Sequence, residues 1–244
     1  MSHRYFTDRI ESGAAFLDGE DAVHLARVLR CRPGELLTLC DGAGTDYAAR
    51  VTAVRADEIA LEVLSSRPTA SEAGLWVTLY VGLPKGDKFE LILQKAAELG
   101  AAAIVPFTSE FCVARPKNED AKLVRWQRIL REAAKQSGRG RIPAVRAAIP
   151  FAQMCREAAA ADAALFCYEG GGEHLVAGGS LHSRLAGAKT AAVITGAEGG
   201  FSAAAAQTAQ DAGCTAVSLG PRILRCETAP LAALAAVMAL TGNL

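Results

Sequence analysis

The chain has 244 residues, of which 51% are apolar, and its 26 basic and 26 acidic side chains cancel to a formal net charge of zero. That is enough to bury a core and to build two domains or one large one. The longest apolar stretch, Ala229 to Leu240, is too short to span a bilayer. The N-terminus carries Arg4, Asp8 and Arg9 with no apolar run, so no signal-peptide pattern is read and no membrane partner is expected. Seven cysteines are scattered at 31, 40, 112, 155, 167, 214 and 226 with no Cys-x-x-Cys pair, which argues against a zinc knuckle. No metal is expected, and a reducing cytoplasm is the expected setting.

The charge balance hides an uneven distribution. Residues 1–70 are net −3, residues 71–146 net +5 and residues 147–244 net −2. Residues 1–68 read as a small β-rich domain. Glu35 to Cys40, Tyr47 to Val54 and Glu58 to Leu64 are predicted strands, and Asp41-Gly42-Ala43-Gly44 is a hairpin turn between the first two. A short helix is predicted over Gly19 to Arg30, before the Arg32-Pro33-Gly34 turn. Ser65 to Ser71 reads as a linker, with the domain boundary placed at 69–74. From 75 to 244 strands and helices alternate, the signature of an α/β domain. The predicted strands are Trp76–Val81, Ala102–Phe107, Ala163–Tyr168, Ala191–Ile194 and Thr215–Ser218. Helices are predicted over Asp87–Leu99, Glu119–Gln136 and the apolar stretch that begins at Leu231.

Two loops carry the functional signal: Thr195-Gly196-Ala197-Glu198-Gly199-Gly200-Phe201-Ser202, and Leu219-Gly220-Pro221-Arg222-Ile223-Leu224-Arg225-Cys226-Glu227-Thr228-Ala229-Pro230. Each follows a predicted buried strand and precedes a helical pattern. Glycine at a strand end lets another group approach the backbone, and ligands of open α/β sheets sit beyond the carboxyl ends of the strands. The two loops therefore predict one ligand crevice, with Thr195, Gly196, Glu198, Gly199, Gly200, Leu219, Gly220, Ile223 and Leu224 as binding candidates. Phe166 and Tyr168, before a glycine-rich turn at 170–172, are further candidates. Arg222, Arg225 and Glu227 are the catalytic candidates. Gly42-Ala43-Gly44 lies between strands and is no dinucleotide fingerprint, and no Gly-Lys-Ser/Thr phosphate loop occurs. A cofactor without phosphates, such as S-adenosylmethionine, suits these loops better.

The helix over 119–136 places Arg125, Arg128, Arg131 and Lys135 on one broad face, with Arg139 and Arg141 just beyond. Such a face is either simply solvated or suited to RNA phosphates. The RNA-contact candidates are Arg125, Arg128, Lys135 and Arg139, joined by Arg27 and Arg30 from the small domain. Cys226 reads as a packing residue.

Residues 196–202 and 219–229, with Lys95-Ala96-Ala97-Glu98-Leu99-Gly100, Glu132 to Arg139 and His24-Leu25, resemble the bacterial 16S ribosomal RNA uridine-N3 methyltransferases of the SPOUT superfamily. Three positions depart from that pattern: Ala197 replaces a proline, Cys226 a threonine and Phe111 an arginine. The resemblance implies a PUA-like β-barrel followed by a trefoil-knotted α/β domain. It also implies a homodimer, S-adenosylmethionine as cofactor, and 16S ribosomal RNA as substrate, in the assembled small subunit. In that mechanism Arg222 or Arg225 stabilises charge on the base, and Glu227 or Glu198 accepts a proton or orients an arginine. Two alternatives stand beside it: a related methyltransferase acting on transfer RNA or ribose, and a non-catalytic RNA-binding module.

Overall fold

The computed structural model describes residues 4–112, 119–177 and 179–244. They form two compact units. The first is Met1–Glu72 with Ala134–Ile142, and the second is Ala73–Ala133 with Pro143–Leu244.

The first unit is built on six strands. They are β1 (Arg4–Phe6), β2 (Ile10–Glu11), β3 (Ala14–Asp18), β4 (Leu36–Cys40), β5 (Thr45–Val54) and β6 (Glu58–Pro68), with α1 (Gly19–Val23) between β3 and β4. The sheet order is β1-β4-β5-β6-β3-β2, antiparallel except for the β1–β4 pair. Alternation sends Ala15 and Leu17, Ala49 and Val51, and Ile59 and Leu61 to one core, which Tyr5, Leu25 and Leu39 complete. The hairpin turn forms as expected. Asp41 Oδ1 accepts from the Ala43 and Thr45 backbone N–H groups at 2.8 and 3.0 Å, and Gly42 and Gly44 take φ of +75° and +109°.

Two expectations change here. The serine-rich stretch read as a linker from Ser65 is strand as far as Pro68, paired with Thr45–Ala48. Long β5 supplies partners for these residues, and pairing overrides their weak strand preference. The helix expected over Gly19–Arg30 is α-helical only to Val23. His24–Val28 is a π-helical turn, with the Leu29 N–H bonded to the His24 carbonyl, and Arg30 takes a left-handed φ of 52°. The short strands β1–β3 lacked enough alternation to be seen in the sequence.

The second unit runs β7 (Trp76–Gly82), α2 (Lys88–Glu98), β8 (Ala103–Thr108), α3 (Glu119–Gln136, whose last residues belong to the first unit), β9 (Ala144–Val145), β10 (Ile149–Pro150) and α4 (Phe151–Ala159). It continues with β11 (Ala163–Cys167), β12 (Glu173–His174), α5 (Gly179–Ala186), β13 (Thr190–Thr195), α6 (Ala203–Asp211), β14 (Thr215–Ser218) and α7 (Ala229–Leu240). The main sheet order is β10-β8-β7-β13-β11-β14-β12, with β9 also on β8, and every pairing is parallel. One core face gathers Phe107, Phe166 and Phe201 with Met154 and Ile194, and Phe151 packs against it. On α2, Phe89, Ile92, Leu93 and Ala96 are buried as the spacing predicted. On α3, Trp126 packs edge-on against Phe89 with ring centroids 4.6 Å apart, while Arg125, Arg128 and Arg131 are exposed.

In the first unit Asp46 is the polar keystone. Its side chain is only 4% exposed. Arg4 Nη2 donates to Oδ2 at 2.9 Å, and Thr69 Oγ1 and Cys40 Sγ donate to Oδ1. Asp46→Ala strands a largely buried guanidinium. We expect a loss of roughly 3–5 kcal/mol, seen as a lower urea midpoint with an unchanged m-value.

Candidate functional site

In the sheet order β13-β11-β14, the loops that leave β13 and β14 flank the loop that leaves β11. Parallel pairing delivers all three to one end of the sheet, where the sequence placed its crevice.

The first glycine loop is fixed at both ends. Phe201 is buried, its ring 4.3 Å from that of Phe166, and Ser202 caps α6 by accepting from the Ala205 N–H. Between them the Gly200 N–H bonds to the Ala197 carbonyl at 3.0 Å. Ala197, the residue in the proline position, is buried against the end of β7. A Cβ on Gly82 would stand 2.4 Å from the Ala197 nitrogen, so the loop seats there only because Gly82 has none.

The second loop is anchored by its backbone. The Arg225 carbonyl accepts from the Thr228 and Ala229 N–H groups at 2.9 Å, which starts α7. The Arg222 and Arg225 side chains are exposed and make no ion pair among the described residues. Ile223 is 89% exposed.

A lysine that the sequence reading passed over ties the loops together. Lys88, the first residue of α2, donates to Glu198 Oε1 at 3.2 Å and lies 3.6 Å from Glu227 Oε2 and 3.7 Å from Cys226 Sγ. The Lys85 backbone N–H also donates to Glu198 Oε1, at 3.0 Å. The sequence signal is the charged strand-to-helix loop Lys85-Gly86-Asp87-Lys88, whose last two residues open the predicted helix Asp87–Leu99.

Two carboxylates around one ammonium leave the cluster with one excess negative charge. Burial alone pushes Glu198 up, but hydrogen bonds from the Lys85 backbone and Lys88 outweigh it and hold the group below its ordinary value. Glu227 is held low first by the Cys226 hydrogen bond, then by a hydrogen bond from its own backbone, and to a lesser degree by Lys88. The Cys226 thiol is pushed up to about 11 by burial and by its bond to Glu227. It therefore stays protonated and donates to Glu227 Oε2 at 3.1 Å, and packing alone does not describe its role.

Other candidates separate by burial. Thr195, at the end of β13, is fully buried, and its Oγ1 has no partner among the described residues. The Phe166 side chain lies wholly in the aromatic core, so as a binding side chain it is corrected to a packing residue. Tyr168 is half-buried and folds its ring against Gly170. Of the basic candidates, Arg139 is only 4% exposed and forms an ion pair with Glu72 at 2.8 Å, a structural role rather than the predicted RNA face. Lys135 is paired with Asp21 and lies over the Tyr5 ring. Arg125 bonds Glu90 at 2.7 Å, whereas Arg27, Arg30 and Arg128 are exposed without an ion pair among the described residues.

Fold and site define an α/β unit with a ligand end built from charged, glycine-rich loops, joined to a β-rich unit. The family model described as an RNA methyltransferase domain matches residues 71–238, and the RNA methyltransferase PUA domain matches residues 17–64. Ribosomal RNA small subunit methyltransferase E of Bacillus subtilis is 32% identical, covering 96% of this chain and 95% of its own. The protein of the same name from Mycobacterium bovis is 36% identical over 98% and 92%. The crystal structure of Ribosomal RNA small subunit methyltransferase E from Neisseria gonorrhoeae, bound to S-adenosyl methionine, superposes with a TM-score of 0.79 at 33% identity and 98% coverage of both chains. The chain belongs to this RNA methyltransferase family. It has a SPOUT-type α/β domain preceded by a PUA-like domain, as the resemblance implied.

The depressed carboxylates fix a pH dependence. The stability that Glu198 and Glu227 contribute is complete above their ordinary value of 4.5 and is lost as pH falls through their lowered values. Lys88→Met removes a shared cation, and both groups are expected to titrate closer to 4.5, read from side-chain carboxyl shifts by NMR. Cys226→Thr keeps a donor and leaves Glu227 low, whereas Cys226→Val raises it.

Proposed function

We propose that this chain transfers the methyl group of S-adenosylmethionine to N3 of a uridine in 16S ribosomal RNA. The observation that carries the reading is the Lys88 cluster, which holds two glycine loops together at one end of a parallel sheet, the second being a loop whose Arg222 and Arg225 form no ion pair among the described residues. Family membership and the cofactor named for the Neisseria gonorrhoeae structure support it.

The residues fit the cofactor. The buried Thr195 hydroxyl lacks a partner among the described residues, and beyond the missing Cβ of Gly220 the nearest atom is His174 Nε2 at 3.6 Å, which leaves that backbone open to an adenosine. Gly196, Gly199, Gly200, Leu219, Gly220, Ile223 and Leu224 would enclose it. Glu198 and Glu227 supply the excess negative charge that suits a sulfonium. When bound, the cofactor supplies an electrophilic methyl group.

Uracil N3 carries a proton at neutral pH, so the base must lose it to become a nucleophile. Glu227 is the favoured acceptor. Glu198 is already held by a backbone N–H and an ammonium, while Glu227 keeps a looser bond to Lys88. Arg222 and Arg225 neutralise the charge that spreads to O2 and O4. N3 lies on the pairing edge, so the target must be unpaired or flipped. Arg27, Arg30 and Arg128 contact RNA phosphates, and Arg125 joins them, since an exposed ion pair is cheaply exchanged. The reading includes the knotted chain path and a homodimer, in the cytoplasm, with the assembled small subunit as substrate.

Small subunits lacking the modification, incubated with the protein and labelled S-adenosylmethionine, should acquire label at N3 of one 16S uridine. Label on transfer RNA or a ribose would overturn the assignment. Arg225→Ala should lower kcat by roughly 10²–10³-fold with cofactor affinity retained. Gly220, at φ +107°, should lose cofactor binding by calorimetry as Gly220→Val, with the far-ultraviolet circular dichroism unchanged.

A further inference from the structure

The third loop at the ligand end, Tyr168-Glu169-Gly170-Gly171-Gly172, is not used by the reading above. It leaves β11, the strand that lies between β13 and β14, so it emerges between the two glycine loops. A Cβ on Gly200 would stand 2.1 Å from Glu169 Oε1. The Glu169 carboxylate therefore lies directly over the backbone of the first glycine loop, in space that only a glycine leaves open. Gly200 takes a φ of +62°, which favours glycine for a second reason. Glu169 is exposed and makes no ion pair or hydrogen bond among the described residues. A carboxylate held against a loop backbone without a cation has both oxygens available to accept.

We propose that Glu169 binds the cofactor through the two ribose hydroxyls of its adenosine. The inference rests on the S-adenosylmethionine reading and names a residue and a contact within it. Three considerations select the diol. A carboxylate is an acceptor only, and a vicinal diol offers two donors at the spacing of its two oxygens. A carboxylate beyond a strand neighbouring the glycine-rich turn serves the ribose in doubly wound sheets, so the arrangement is chemically sound. The cationic end of the cofactor already has a counter-charge in the Lys88 cluster, where Glu198 and Glu227 outnumber one ammonium. Glu169 is thus left for the neutral, donor-rich part of the ligand.

The test is calorimetry on the full chain with S-adenosylhomocysteine and its 2′,3′-dideoxyribose analogue. The wild-type protein should bind the analogue about ten- to a hundredfold more weakly, as expected for hydrogen bonds to a charged group. Glu169→Ala should lose a similar factor toward S-adenosylhomocysteine and no longer distinguish the two ligands. Glu169→Gln, which keeps one acceptor oxygen, should fall between. Equal affinity of Glu169→Ala and wild type for S-adenosylhomocysteine would overturn the assignment, as would undiminished discrimination by Glu169→Ala. If the wild-type protein binds neither ligand, the cofactor reading itself fails, and this contact fails with it.

Discussion

A parallel sheet sends every loop that follows a strand to the same end. In the second unit all pairings are parallel, so segments far apart in sequence must meet there. The loop after β7, the loop after β11 and the two glycine loops after β13 and β14 converge for this reason alone. Lys88 shows the result: it reaches a carboxylate 110 residues away in the chain. The ionic cluster follows from the topology and in turn fixes the relative position of the loops.

That cluster also divides the work among the charges. Glu198 is tied down by the Lys85 backbone and Lys88, while Glu227 is bonded to a thiol and sits farther from the lysine. Arg222 and Arg225 lie on the same loop but make no ion pair among the described residues. The loop thus holds its acid in place and leaves its guanidiniums to outside anions. Cys226 acts as a donor to Glu227 because burial keeps its thiol protonated.

Much of this was legible before the structure. The helix over Glu119–Gln136 has the bounds its periodicity gave, and β14 matches the expected Thr215–Ser218, since both patterns are local. The failures were equally physical. Ser65–Pro68 looks like a loop until the ten-residue β5 offers it partners. Phe166 sits at a suggestive strand end, yet its side chain is claimed by the ring of Phe201. Arg139 fits a basic stripe, but Glu72 draws it inward. In each case the deciding partner is remote in sequence, or belongs to a different element.

By itself the sequence determined the α/β alternation, the β-rich beginning and the two glycine loops, because turn chemistry and hydrophobic period are written within a few residues. It also carried the family, since its motifs are contiguous. Tertiary structure decided which charges are used and which are free. Ion pairing and burial depend on distance in space, and only the folded sheet brings Glu198 and Glu227 each within 4 Å of Lys88 or hides Arg139.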